Sequence, residues 1–487
     1  MSSNNQNLHD AIERSDALKS RIVEFLAQDS GIFVVSAAPG SGKSILLLKL
    51  VKQLVESGKR VVVATQTNNQ AENLSKDWFG EQINGNNKFT RFSSASHTRP
   101  KELAPENWAT RLKDIPDGPR VIVANAKKWA ITAANDPVED MGAHTLIVDE
   151  AYQMTWSTFM QLSSIAPRVV LIGDAGQIPP VVKVEGSAWD TSLMPPHWPA
   201  PQTAERLSKK LGSRYGFAEL ETSWRIPQES LKFVQPFYPD IQLKPVAAPG
   251  DRVMIWDAFR QPSGPIGDAL QAGATGEPVL VKVPTGAEGA PQYTDNRVAA
   301  VVAKILNELF EYETETLLEA KSSDRTGGDA PQNLKLSDVM IVATKKAMLT
   351  ALEDAIQPTI KSLSSKTKDG TFVEGKLNGG LLIDTPERSQ GLQRKVVIVV
   401  HPLSGVAKPS EFDLETGRLA VMASRHQVAL FVVTRDTVKK ALDENLPSAT
   451  QSLGVDDYVG EGHRLHVAFW NAFSTDQTID LAEDFVA

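Results

Sequence analysis

The chain has 487 residues, 41% of them hydrophobic and 23% charged, the balance of an ordinary globular protein long enough for two or three cores. It contains no cysteine, which excludes disulfides, thiolate-held zinc or iron–sulfur clusters, and thiol catalysis. A net charge of −8 argues against a protein that coats nucleic acid through bulk charge, and leaves room for a local basic groove. No apolar run approaches the roughly 18 residues that would span a bilayer, and the opening segment MSSNNQNLHD is polar. A cytoplasmic location with no membrane partner is the expectation.

In chain order, the first informative element is the apolar run Ile32–Val35, followed by AAPGSGKS (Ala37–Ser44) and the periodic segment Ile45–Val55. A glycine-rich turn between a strand and a helix is a phosphate cradle: its backbone N–H groups face the ligand and the helix N-terminus favours negative charge. Pro39, Gly40, Ser41, Gly42, Lys43 and Ser44 form this P-loop, with Ala37 standing where the usual pattern has its first glycine. Lys43 is placed to reach the β- and γ-phosphates, and the Ser44 hydroxyl to hold Mg²⁺. ATP and Mg²⁺ are therefore the expected cofactors.

Short β-branched runs recur at Val61–Ala64, Val121–Ala124, Leu146–Val148 and Val169–Ile172, then at Val339–Ala343, Leu381–Ile383, Val396–Val400 and Leu430–Val433. Near-continuous apolar strands alternating with helical patterns indicate an α/β fold with parallel sheets covered on both faces, in two domains. The boundary is expected at 217/218. Residues 78–120 read as a small accessory insertion, and 247–291 and 311–335 as flexible insertions of low apolar content. Between the last two, Asn296–Phe310 reads as an amphipathic helix. The tail from Ser474 reads as disordered or as a short docked helix.

The run LIVDEAYQ (Leu146–Gln153) ends a buried strand in two adjacent carboxylates, which point in different directions. Asp149 can complete the metal shell that Ser44 begins, and Glu150 can polarise the water that attacks the γ-phosphate. The next strand runs into GDAGQIPP, where Gln177 is placed to sense the γ-phosphate.

Taken together, these stretches resemble the superfamily 1 helicases, and within them the Upf-like type of the 5′→3′ branch. VVVATQTNNQAENL (Val61–Leu74) is similar to motif Ia, VIVANAKKWA (Val121–Ala130) to motif Ib, DEAYQ to motif II and GDAGQIPP to motif III. LETSWRIPQESLKFVQPFY (Leu220–Tyr238) is similar to motif IV, IDTPERSQGLQ (Ile383–Gln393) to motif V and GRLAVMASRH (Gly417–His426) to motif VI. The resemblance implies two tandem RecA-like domains, with ATP in the cleft between them and single-stranded DNA or RNA across the top. It implies that Arg225 and Arg425 reach the γ-phosphate as planar, permanently charged forks, and that cleft closure is coupled to ATP binding. It further implies that Trp224 stacks on the nucleobase, that Gly391 and Gln393 lie on the nucleotide side, and that Thr65, Thr67, Asn68, Asn125, Thr385 and Ser389 contact the strand.

Two departures carry their own expectations. Ser20 stands near the position where the family reads adenine with glutamine, and Gln393 replaces the acid that holds the ribose, so relaxed base preference is expected. In the segment Trp78–Arg120, Lys88, Arg91, His97, Arg99, Lys101 and Arg111 either line a nucleic-acid channel or form a solvated surface. That segment is short for a wedge domain, so translocation is better supported than unwinding. The leading reading is an ATP-driven translocase or helicase. The alternative is a regulatory P-loop ATPase that switches a protein partner, such as a nuclease, in a defence or repair complex. A small-molecule kinase also needs a P-loop but not the later motifs.

Overall fold

The computed structural model describes residues 3–75, 88–182, 186–286, 289–318, 330–364, 377–447 and 457–486. The chain divides into two compact units, one of Leu8–Ala175 with Pro179–Thr222, the other of Ser223–Ala487 with the short segment Gly176–Ile178. Each is an α/β unit built on a parallel sheet. No helix among the described residues is long and apolar enough to cross a membrane.

In the first unit, helix α1 (Ser3–Phe25) leads into β1 (Gly31–Ala37), α2 (Lys43–Glu56), β2 (Arg60–Thr65) and α3 (Asn68–Asn73). The strands β3 (Phe89–Phe92), β4 (Trp108–Ala109), β5 (Arg120–Asn125), β6 (Thr145–Val148), β7 (Arg168–Gly173) and β8 (Tyr215–Leu220) follow. They form one eight-stranded sheet in the order β4-β3-β5-β2-β6-β7-β1-β8. Every pairing in it is parallel. The period-two alternation of each strand supplies two cores. Phe33, Val35, Val61, Val63, Val121 and Val123 face α2 through Leu46, Leu47, Leu50, Val51 and Leu54. Val34, Val62, Ala64, Ile122 and Ala124 face Trp129, Trp156 and Phe159. Leu50 is fully buried there, and burying such a side chain stabilises the fold by about 1.5–3 kcal/mol.

In the second unit the strand order is Leu382–Asp384, Val339–Val342, Arg394–Val400, His426–Arg435, Val279–Val283 and Thr478–Asp480. These pairings are parallel as well. The amphipathic helix Asn296–Glu311, N-capped by Asp295, and the helix Lys346–Ser364 pack one face of this sheet.

Several expectations change. The 217/218 boundary would cut β8, which pairs with β1 over Tyr215–Leu220, so the division falls at 222/223. The 78–120 segment is no separate module. Residues 78–87 lie outside the described residues, and the remainder contributes β3 and β4 to the main sheet. The 247–291 stretch holds a strand (Val253–Ile255), a helix (Gly264–Ala272) and the internal sheet strand Val279–Val283. Its average of glycine, proline and alanine hid the five-residue run VLVKV. Of 311–335, residues 319–329 lie outside the described residues, and Glu315–Leu317 pairs with both Val253–Ile255 and Gln332–Asn333. The tail docks as a strand, Thr478–Asp480, on Val279–Val283.

Candidate functional site

In the first unit, all the candidate groups sit at the carboxyl ends of parallel strands. The turn after β1 places Gly40 at φ 70° and Gly42 at φ 82°, left-handed conformations that glycine adopts without a Cβ penalty. Gly42 then N-caps α2, whose first two residues are Lys43 and Ser44. Ser41 is buried and its hydroxyl has no partner.

Opposite the loop, Glu150 is a non-glycine residue held left-handed at φ 51°, ψ 45°. Strain of this kind persists only where surrounding contacts enforce it. Here Lys43 Nζ donates to both Glu150 carboxylate oxygens at 3.2 Å. The Gln66 side chain donates to the Glu150 carbonyl at 3.3 Å and lies 3.5 Å from that of Asp149. Gly173, in the Gly-Asp turn, has a packing reason: a Cβ there would approach the Ala151 nitrogen to 2.9 Å. Gln66 was not singled out in the sequence, since only its place between two threonines of motif Ia marks it.

Burial, and then the Glu150 charge beside it, push the Asp149 carboxyl up to about 7, against the pull of Lys43 and of the Glu150 N–H that it accepts at 3.0 Å. A crowded carboxylate of this kind fits a divalent cation. Ser44 and Asp149 are both hard oxygen donors, the set that Mg²⁺ takes together with phosphate oxygens and waters. No cluster of three or more His, Asp or Glu side chains able to hold a metal occurs among the described residues, so an all-protein cage is not what this site offers.

The strand-contact candidates divide. Asn68, Asn125 and the exposed Thr67 cluster at the ends of β2 and β5: Asn125 Nδ2 donates to Asn68 Oδ1 at 2.6 Å, and Thr67 caps α3. Thr65 is buried and spends its hydroxyl on the Thr67 carbonyl at 2.9 Å. Among the basic residues of 88–111, Arg91 is completely buried and lines no channel. Arg111 pairs with Asp114, His97 meets Glu72, Arg99 bonds the Leu103 carbonyl, Lys88 is half-buried and Lys101 is exposed.

The second unit gathers the remaining candidates. Arg225 is buried; its Nε donates to Gln393 Oε1 at 2.9 Å and its Nη1 to the Ser424 carbonyl at 3.1 Å. Arg425 is fully buried, with Nε on the Val421 carbonyl at 3.1 Å and Nη2 on Ser424 Oγ at 3.3 Å. Arg225, Gln393, Ser424 and Arg425 thus form one network, and Ser424 is the member the sequence reading missed. Gln393 meets an arginine where a ribose contact was expected. Gln177 is buried and accepts from Gln390 Nε2 at 2.6 Å. Gly391 sits at φ 80° in the turn that follows Gln390. Trp224 is half-buried and its carbonyl accepts from Arg252. Thr385 N-caps the short turn Pro386–Ser389, while Ser389 is fully buried with its hydroxyl on the Pro386 carbonyl at 3.1 Å.

Residues 20–183, which hold the P-loop, both carboxylates and the glutamine turn, match the family model described as an AAA domain. The match covers the nucleotide-binding part of the first unit and stops before Ser223, where the body of the second begins. No protein of curated function matches the sequence. Among solved structures it is similar to that of arterivirus nonstructural protein 10 (helicase), at 13% identity and TM-score 0.40, covering 86% of this chain and 63% of that one. The complex of the same viral protein with DNA gives 13% identity, TM-score 0.39, and coverage of 86% and 64%. The chain thus spans under two thirds of the length of these solved structures.

Proposed function

We propose that this protein is a nucleic-acid-stimulated, Mg²⁺-dependent ATPase that moves along a single strand, of the Upf-like 5′→3′ type. The observation that carries the reading is the Lys43–Glu150 pair. It joins the phosphate-binding cation to the carboxylate best placed to activate water. A triphosphate carries more negative charge than Glu150 and would draw Lys43 to itself, freeing Glu150 as general base once substrate is seated. Ser44 and Asp149 would hold Mg²⁺, whose chemistry is to neutralise charge on the phosphates. Arg225, Arg425 and Gln177 would supply transition-state charge and γ-phosphate sensing as the units close. Trp224 and Gly391 would lie on the nucleotide side, with the base preference relaxed.

On the strand side, Thr67, Asn68, Asn125 and Thr385 are the proposed phosphate contacts, while Thr65 and Ser389 support their loops from within. Hydrogen bonds to phosphate position a strand without reading its bases, which suits a motor. The test is ATP hydrolysis with single-stranded DNA, single-stranded RNA and neither. Strong stimulation by one of them is the expected result. Turnover that ignores both would overturn the motor reading and favour the protein-switching ATPase. Comparable turnover of GTP and CTP is expected for relaxed base preference, and strict dependence on ATP overturns that part.

A further inference from the structure

Asparagine is an ambiguous phosphate ligand, because its amide presents a donor at one end and an acceptor at the other. At the ends of β2 and β5 the ambiguity is removed from inside. Arg91 Nη2 donates to Asn68 Oδ1 at 3.0 Å, and the same oxygen takes Asn125 Nδ2 at 2.6 Å. Asn125 Oδ1 in turn accepts the Lys128 N–H at 2.7 Å. Flipping the Asn68 amide would set its NH₂ against a guanidinium and a second NH₂, three donors with no acceptor between them. Both amide oxygens therefore face the protein, and N–H groups remain on Asn68 and Asn125. Thr67 follows the same rule, since its Oγ1 accepts the Gln70 N–H at 3.2 Å and leaves the O–H to donate. Phosphodiester oxygens only accept.

Arg91 itself is built to stay where it is. It is completely buried in β3, its Nη1 donates to the carbonyls of Phe92 and Val123, and its guanidinium lies 5.8 Å from the centre of the Trp108 ring. It forms no ion pair among the described residues, and its Nε has no hydrogen-bond partner. Desolvation lowers it to about 10, against a smaller opposing pull from Glu72, which still leaves a cation at neutral pH. A buried cation whose charge no bonded carboxylate cancels is costly for a purely structural tie between strands.

We infer that Arg91 is a positioning residue: it orients Asn68, and through it Asn125, into a donor-only face for the phosphodiester oxygens of a single strand. The inference rests on the motor reading above and names the residue that sets its strand affinity. The test uses the full chain, with oligo(dT) and oligo(U) as strands, and measures strand-stimulated hydrolysis, strand-free turnover and the thermal midpoint. R91K keeps the charge but cannot span Asn68 and two carbonyls at once. It should raise the KM for the strand about tenfold, with strand-free turnover and kcat at saturating strand unchanged. N68D offers the guanidinium an ion-pair partner while turning a carboxylate oxygen outward, so it should keep the thermal midpoint and weaken strand binding about a hundredfold. Parent KM in R91K, parent affinity in N68D, or a fall in R91K turnover and midpoint with no specific change in KM overturns the inference alone. A parent protein that binds and responds to neither strand overturns the motor reading, and this inference with it.

Discussion

The first unit displays its chemistry and the second conceals its own. At the ends of β1 and β6 the placing is done with backbone: Gly40, Gly42 and Glu150 all take left-handed conformations that bring Lys43 and a carboxylate pair together at the carboxyl edge of the sheet. In the second unit the candidate arginines are buried and their partners are remote in sequence. Gln393 is 168 residues from Arg225, and Ser424 is 199 away. Backbone conformation builds one half of the machinery and buried side-chain packing the other. Damage to the first should therefore act on chemistry, and damage to the second on chemistry and stability together.

The largest expected effects fall in the first unit. Lys43→Ala removes the cation facing the phosphates and should lower turnover at least about 10³-fold, with the thermal midpoint nearly unchanged. Glu150→Gln should retain nucleotide binding and lose turnover by a similar factor. Equilibrium binding of a fluorescent ATP analogue beside steady-state rates separates the two variants. Parent turnover in Glu150→Gln would remove the catalytic assignment.

Acid should divide the units next. His401, His426 and His466 are all buried in the second. Burial holds His401 well below its usual range, with His466 adding to it. His426 and His466 are each lowered to about 3, by burial first and then by Arg225 and His463 respectively. With folded values below the unfolded 6.5, their stability contribution is complete above pH 6.5 and is lost as pH falls below it. At pH 5.5 that amounts to about 1.4 kcal/mol each for His426 and His466, roughly 3 kcal/mol together, and His401 acts in the same direction. In the first unit half-buried His144 is lowered in this way, to about 4. Hydrogen exchange at pH 7 and 5.5 should show protection lost mainly from residues 223–486. Equal loss in both units would break the comparison.

A smaller effect sharpens it. Gln393 is neutral and holds Arg225 without adding a counter-charge. Gln393→Glu would form an ion pair in place of the amide contact and tie the guanidinium down. Turnover should fall about tenfold while the thermal midpoint rises or holds. A rate that rises instead would mean that the acid restores a ribose contact and that Arg225 is no part of the reaction.

The same contrast explains what could be read in advance. The parallel α/β architecture was legible because Val61–Ala64, Val121–Ala124 and Val396–Val400 are continuous apolar runs, and the P-loop because its glycines and lysine are adjacent. β3 and Val279–Val283 were hidden, one in a segment scattered with basic residues, the other in a window averaged over glycine and proline. Arg91 looked like surface because arginine usually is. Its burial follows from β5 and Trp108 closing over it, which no local pattern encodes. Motifs V and VI were placed by resemblance, and that resemblance could not tell which of their hydroxyls face inward.

Ser389 is where this distinction yields the smallest expected effect. The family resemblance makes it a strand contact, yet its side chain is fully buried and its hydroxyl donates to the Pro386 carbonyl at 3.1 Å, closing the turn behind Thr385. Losing that bond in Ser389→Ala should cost about 1 kcal/mol of stability. The KM for the strand should stay within about twofold, whereas Asn125→Ala, which removes a donor from the exposed face, should raise it about tenfold. Paired titrations of the two variants with one oligonucleotide decide the matter. A rise in Ser389→Ala matching that of Asn125→Ala would mean that the Pro386–Ser389 turn rearranges on the strand, giving up an interior bond for a phosphate.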